Sequence, residues 1–307
     1  MSGDQTVTAE YKAGPLSLRL LVPSGDLAPY ISSYYRTDVE EGAIVDDWLP
    51  PEESNLRVGR ADVYEAAIGE QSLTEVPPAI VSGPTDRVTR LRIGGGSFWG
   101  IGLTPAGWSR LVRLPASEYA NRFVNTHATA LDPSIVTMLD RLLDDGEDLA
   151  AARDMLNEGF RAVLGNRPAS ESTIHAVHLR LLSEDMNAVA PIATMAGMTP
   201  RTFERFCKRH FGFPARALLK RQRFLRSLGK YMLDPSMNWI SALDTHYWDQ
   251  AHFIRDFRAT MGMKPGEYAA LDHPIVRAAV SVTNQNAGVA HQALYRPEAS
   301  NGDATGV

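Results

Sequence analysis

The sequence predicts an α+β protein: a β-rich barrel or sandwich with helices, followed by an all-α domain of two helix-turn-helix units. Three observations predict it. Short apolar stretches punctuated by Gly and Pro fill the chain up to about residue 104; helical periodicity is nearly unbroken from 172 to 270; and one turn pattern recurs about 49 residues after its first appearance.

The β-like stretches come first. Leu16–Val22 partly alternates and stops at Pro23-Ser24-Gly25, and Leu56–Val58 and Ala79–Val81 are bounded by Pro or Gly. Val88–Ile93 alternates before Gly94-Gly95-Gly96, which reads as a hairpin turn, and Phe98–Leu103 resumes the apolar run. Beyond Thr104-Pro105-Ala106-Gly107 the pattern turns helical. Ile135, Met138, Leu139 and Leu142 form one amphipathic stripe, and Ala152, Met155, Leu156, Phe160 and Val163 form another, so helices are expected over about 133–164. These stripes suit packing on the barrel or a dimer interface. Polar, Pro-containing Asn166–Ser172 marks the boundary. The expected division is 1–165 β-rich, 166–272 double helix-turn-helix, and 273–307 an extension with a loose end.

Ala193–Phe206 has the anatomy of a helix-turn-helix. Gly197 ends the first helix, Thr199 N-caps the second, and Pro200 takes its first position. Phe203 and Phe206 face inward. Arg201, Thr202, Glu204, Arg205 and Lys208 face outward, where such a helix meets a major groove. Arg201 is the base-edge candidate; Arg205 and Lys208 suit phosphates. Glu204 suits either cytosine N4 or a salt bridge to Lys208. In the second unit, Asp249 is the N-cap, Phe253 and Phe257 are the core pair, and Gln250, His252 and Arg255 face outward. Between the units runs a basic helix, Ala215–Leu233, with Phe224, Leu228, Tyr231 and Met232 on one side.

The chain carries 31 Lys+Arg against 36 Asp+Glu, a net charge of −5. That excludes a uniformly basic coat but not a basic domain: Pro168–Asp272 holds 14 basic and 10 acidic residues, and ten cations between Arg201 and Lys230 meet only Glu204. Such spacing fits a phosphate-binding surface as well as a solvated helix face. The single cysteine, Cys207, excludes a disulfide framework, a Cys-rich zinc site and a CxxC centre, and is read as core. No histidine precedes His127, which removes the usual His-rich metal enzyme, and no hydrolase, P-loop or dinucleotide motif is present. The expectation is no catalytic residue, no metal and no cofactor. No apolar run reaches the roughly 18–20 residues that span a bilayer, and the first residues lack a signal-peptide layout, so a cytoplasmic protein is expected.

These residues resemble the AraC/XylS family of transcription regulators over Asp185 to about Leu271, most specifically in Tyr247–Arg258. Upstream, Leu49–Arg57, Val81–Pro84 and Gly100–Gly107 resemble a poorly characterised N-terminal domain often fused to such modules. The resemblance implies binding of double-stranded DNA, a homodimer, contact with RNA polymerase, and a cupin-like domain sensing a small-molecule effector. For that effector, Trp48, Phe98, Trp99 and Trp108 are the candidate lining residues. An N-terminal domain that binds a protein or only dimerises is the alternative, and an N-terminal enzyme fused to the module is a third reading. One departure stands out: His246 occupies the turn where the family has glycine, so the second turn is expected to be strained or differently shaped, and Arg201, Thr202 and Arg205 are weighted above Gln250, His252 and Arg255 as readers.

Overall fold

The computed structural model describes residues 7–145, 148–234 and 239–285. Nine antiparallel strands form one curled sheet: β1 Val7–Ala13, β2 Leu16–Leu21, β3 Ile31–Leu49, β4 Ser54–Ala61, β5 Tyr64–Ile68, β6 Thr74–Glu75, β7 Ala79–Ser82, β8 Thr89–Leu103 and β9 Phe123–Asn125. Their order is β1-β2-β3-β8-β4-β7-β9, with β5 pairing β6 and β8. Among the described residues β1 and β9 do not pair with each other, so the barrel is open.

Two long strands set its curvature. The first half of β3 pairs with Gly96–Leu103 of β8; a register shift between Val39 and Ile44 then lets its second half pair with Thr89–Gly94. On its other edge β8 passes from β5 to β4. The triple glycine is therefore no hairpin turn. It lies inside one strand, where neighbouring backbones crowd it: Gly96 has φ +150°, and a Cβ there would stand 2.2 Å from the Arg60 carbonyl oxygen. Only glycine lets the strand pass between its neighbours at that point.

Helices follow as α1 Pro105–Gly107, α2 Ala116–Tyr119, α3 Pro133–Asp145 and α4 Leu149–Val163. The stripes of α3 and α4 are used on the sheet. Ile135, Leu139, Leu156 and Phe160 are almost wholly buried with Tyr34, Leu56, Val58 and Ile101. Asn157 of α4 accepts from the Tyr34 hydroxyl at 3.1 Å and from the Ser24 backbone N–H at 3.1 Å, which satisfies polar groups inside that layer. Of the two uses these stripes suit, packing on the sheet is the one their apolar faces take.

The helical domain comprises α5 Glu171–Leu182, α6 Val189–Met195, α7 Pro200–Phe211, α8 Ala215–Leu233, α9 Trp239–Ala242, α10 Gln250–Met261 and α11 Pro265–Ala269, and α12 Pro274–Gln285 follows. This last helix returns to the sheet. Ala278 and Val282 are fully buried among Leu16, Leu18, Val39 and Phe98, on the face opposite α3 and α4. The expected extension is therefore in part a layer of the β domain; its residues 286–307 lie outside the described residues. Among the described residues no helix is long and apolar enough to cross a membrane.

The two halves are joined by buried polar contacts. Arg110 pairs with Glu171 at 2.7 Å, His178 Nε2 stands 2.6 Å from Glu53, and the Val88 backbone N–H donates to the Thr260 carbonyl at 2.7 Å.

Candidate nucleic-acid interface

The first turn forms as its sequence requires. Gly197 has φ +65°, and the Met198 N–H closes back on the Ala193 carbonyl at 3.0 Å. Thr199 Oγ1 accepts from the Thr202 N–H at 3.3 Å and caps α7, with Pro200 at its start. Phe203, Phe206, Cys207 and Phe211 are buried, which leaves Arg201, Thr202, Arg205 and Lys208 exposed on one outward face. Burial pushes the Cys207 thiol up to about 12, so it is an inert core group. His210 is pushed down to about 4 by burial and then by Arg209, and adds no charge to the surface at neutral pH.

Glu204 departs from both roles expected of it. Its Oε2 accepts from the Ala215 backbone N–H at 3.4 Å, at the first residue of α8. A carboxylate there meets the positive end of the helix, so Glu204 links α7 to α8.

The second turn takes the differently shaped of the two expected forms. Among the described non-glycine residues only Arg113 and Asn121 have positive φ, so His246 is not left-handed. The turn is built on Asp244 instead. Its carboxylate accepts from the His246 N–H at 2.9 Å, stands 2.9 Å from His246 Nδ1, and pairs with Arg226; its own N–H donates to Ser227 Oγ at 2.8 Å. Burial alone would raise this carboxyl, but Arg226 and the His246 N–H hold it below its ordinary value. An aspartate-centred turn does the work that a left-handed glycine would do.

Asp249 N-caps α10, accepting from the His252 N–H at 2.6 Å. Gln250 and Arg255 are exposed as expected, but His252 is half-buried: its ring packs edge-on to Tyr247 at 5.1 Å and lies 3.4 Å from Arg223 Nη2. Trp248, which sequence reasoning passed over, is 91% exposed immediately before the cap. Its signal was a large apolar residue at a position that the core pair Phe253 and Phe257 does not need.

The basic run divides into two sets. Lys220 and Arg223 pair with Asp256, Arg226 pairs with Asp244, and buried Arg221 donates to the Glu52 and Thr85 carbonyls of the β domain at 3.3 Å. Arg201, Arg205, Lys208, Arg209, Arg216 and Lys230 remain exposed. Half-neutralised in this way, α8 holds the two units to each other and to the sheet. Phe257 anchors the second unit, its ring 5.4 to 5.6 Å from Phe224, Phe253 and Tyr268.

In the β domain, Phe98 and Trp99 line a cavity of about 90 Å³. Trp48 and Trp108 do not. Trp108 is core, 1% exposed, with Nε1 donating to the Leu114 carbonyl at 2.7 Å, and Trp48 packs with the helical domain. The missed lining residues Tyr35, Glu52, Arg57 and Tyr64 fall in strands, or in the β3–β4 connection, where the chain shows no pocket signature of its own. Among the described residues no group of three or more His, Cys, Asp and Glu is placed to hold a metal.

Comparison with known families matches residues 192–270 to a helix-turn-helix domain and residues 19–125 to a domain of unknown function, DUF6597. No curated protein matches the sequence. Similar solved structures include an apo variant of ToxT from Vibrio cholerae, at 10% identity over 84% of this chain and 98% of that one, TM-score 0.40. ToxT from the same organism with an unsaturated fatty acid bound is similar at 11% over 76% and 92%, TM-score 0.39. The AraC-like transcriptional activator CuxR is similar at 12% over 67% and 79%, TM-score 0.29. TM-scores this low add nothing to the fold, which rests on the strand pairings and helix contacts above. Residues 192–270 of the chain are thus a helix-turn-helix domain, preceded over residues 19–125 by a domain without assigned function.

Proposed function

We propose that the chain is a sequence-specific transcription regulator that binds double-stranded DNA through α7 and α10 and is modulated by a small molecule in its β domain. The observation that carries the DNA reading is the pair of side-chain-capped helices, each with an exposed polar start, both packed on α8. That helix has 19 residues, a length of about 28 Å, which suits two readers in successive major-groove segments on one face of DNA. In this reading Arg201 and Gln250 read base edges, Thr202, Arg205, Lys208 and Arg255 contact the backbone, and Trp248 meets sugar or a thymine methyl.

Arg201→Ala is expected to weaken a selected site by about 1–3 kcal/mol and to leave non-specific DNA nearly unchanged. Titration of both DNAs by fluorescence anisotropy checks this, and equal loss on both moves Arg201 to the phosphate contacts. Binding is also expected to weaken with salt, by a log–log slope of about −0.9 per phosphate neutralised. With four of its ten cations engaged by protein groups, the Arg201–Lys230 segment contributes a slope no steeper than about −5 to −6. A steeper contribution, found by comparing variants of the engaged and exposed sets, overturns the division.

The small-molecule reading rests on the cavity. At about 90 Å³ it is well below the roughly 300–1,000 Å³ of sites for drug-sized ligands, so its occupant is small. That modest volume is also the observation favouring the second reading, a β domain that serves a homodimer or a protein partner. Sedimentation with and without metabolite extract separates the two. Titratable groups do converge at the cavity, but burial raises the Tyr35 and Tyr64 phenols and Glu52 is paired with Arg57, so no free base is offered for catalysis.

A further inference from the structure

The sheet face that carries Leu18, Tyr35 and Phe98 is completed by α12, the helix that follows the second helix-turn-helix. Its Ile275, Val276 and Ala279 form one wall of the 90 Å³ cavity, and Leu91, Ile93, Phe98 and Trp99 contribute to the others. The charges at the cavity cancel: Arg57 pairs with Glu52, and its Nε donates to the Tyr35 hydroxyl at 3.2 Å and its Nη1 to Ser82 Oγ at 3.3 Å. An ionic ligand would have to break that pair or bring an uncompensated charge into an apolar site. Thr89 is different. It lines the cavity, is 2% exposed, and its Oγ1 is buried without a hydrogen-bond partner among the described residues. Buried hydroxyls are ordinarily satisfied, so an orphan at a cavity wall marks the place of a ligand group or water.

From α12 the path to the DNA-binding domain is short. Asp47, at the end of β3, accepts from the Ile275 and Val276 N–H groups at 2.8 and 2.9 Å and faces His273 Nδ1 at 3.1 Å. His273 Nε2 stands 2.7 Å from the Tyr268 carbonyl oxygen, and the Tyr268 ring lies 5.6 Å from that of Phe257 on α10. A molecule that moves α12 acts on the contacts that seat the second reader.

We infer that the cavity binds an uncharged, largely apolar molecule of single-ring size with one hydrogen-bonding group for Thr89, and that α12 reports its binding to α10. This rests on the small-molecule reading and narrows it. The volume sets the size, the walls set the polarity, and the closed Arg57–Glu52 pair sets the charge.

The test uses the full chain with benzyl alcohol, its charged counterpart benzoate, and toluene, followed by ligand-observed NMR and by amide hydrogen exchange over residues 239–285. Saturable binding of benzyl alcohol is expected, with benzoate weaker by about ten-fold or more, the scale of a charge left unpaired in an apolar site. Thr89→Val is expected to weaken benzyl alcohol by up to about ten-fold and to leave toluene unchanged. Ala279→Phe, which fills the cavity from α12, is expected to abolish binding of all three, and exchange in α12 and α10 is expected to slow on binding to the unaltered chain. Should Ala279→Phe not fold, Thr89→Val carries the test. Benzoate binding as tightly as benzyl alcohol overturns the ligand class while the small-molecule reading survives. Binding unaffected by both substitutions moves the site elsewhere, again sparing that reading, and unchanged exchange removes α12 as the reporter. If none of the three binds, the cavity is a packing void and the small-molecule reading falls with the inference.

Discussion

Arg110→Ala is expected to destabilise the protein by about 3 kcal/mol, the low end for a broken buried pair, because the Glu171 carboxylate loses its buried partner and keeps only the exposed Arg167 at 2.8 Å and the Tyr30 hydroxyl. Arg110 and Glu171 are 8% and 2% exposed at the side chain. The guanidinium also donates to the Leu164 and Gly165 carbonyls at 2.9 and 2.8 Å and to the Tyr30 hydroxyl at 3.1 Å, and the Tyr30 hydroxyl in turn donates to Glu171 at 3.0 Å. These contacts tie the β domain to α5, the first helix of the helical half. Urea unfolding at neutral pH measures the loss. The double variant Arg110→Met with Glu171→Leu is expected to cost less than the sum of the two singles, since it removes both charges from the same buried site.

The same pair makes a pH prediction. Burial pushes the Glu171 carboxyl up, but Arg110 and Tyr30 outweigh it and hold the group below its ordinary value of 4.5. A carboxyl whose folded value is lowered contributes stability that is present above the unfolded value and is lost as pH falls through the folded one. Glu171→Gln is therefore expected to be less stable than the unaltered chain at neutral pH, and the gap is expected to close as pH falls below about 4.5. Unfolding curves across that window check it. A gap that is constant with pH would show that shape rather than charge makes the contact.

Asp47→Ala is the second large expectation, a loss of about 2–5 kcal/mol. The carboxylate is 1% exposed and takes two N-terminal amides of α12 besides facing His273, so its removal leaves buried donors unsatisfied. Asp47→Asn retains one carbonyl acceptor and is expected to lose less. Limited proteolysis distinguishes the cause: if α12 is what Asp47 holds, cleavage around residues 272–285 is expected to rise before cleavage in the sheet. Equal protection in both variants would show that the apolar contacts of Ala278 and Val282 seat the helix without help.

The helical half was legible because its signals are local. A glycine at the αL position, a capping Thr199 or Asp249, and Phe pairs spaced three or four residues apart act within one turn of chain, so residues 193–206 and 249–257 fold as their order implies. The apolar stripes of α3 and α4 were equally plain. What escaped was set by partners distant in sequence. Glu204 reads as a surface residue until α8 brings the Ala215 amide to it, and the cations of α8 read as a phosphate surface until Asp244 and Asp256 fold back onto them. Around His246 strain and a different turn shape stayed open, because the sequence does not show that Asp244 can build the turn by accepting hydrogen bonds.

The β domain shows the same division more sharply. Its strand character came from alternation and from Gly and Pro punctuation, which are properties of short segments. Whether Gly94-Gly95-Gly96 turns the chain or lets it run straight depended on how closely β3, β4 and β5 approach it, and that is a matter of packing. Order along the chain is enough to specify the class of each half, the two capped helices and the inward residues that hold them. The tertiary structure alone decided which charges stay free, that Phe98 and Trp99 rather than Trp48 and Trp108 meet the cavity, and that the last described helix closes the first domain. The reason is physical: caps and periodicity are fixed by neighbours along the chain, whereas the burial of a charge or the wall of a cavity exists only once remote segments have met.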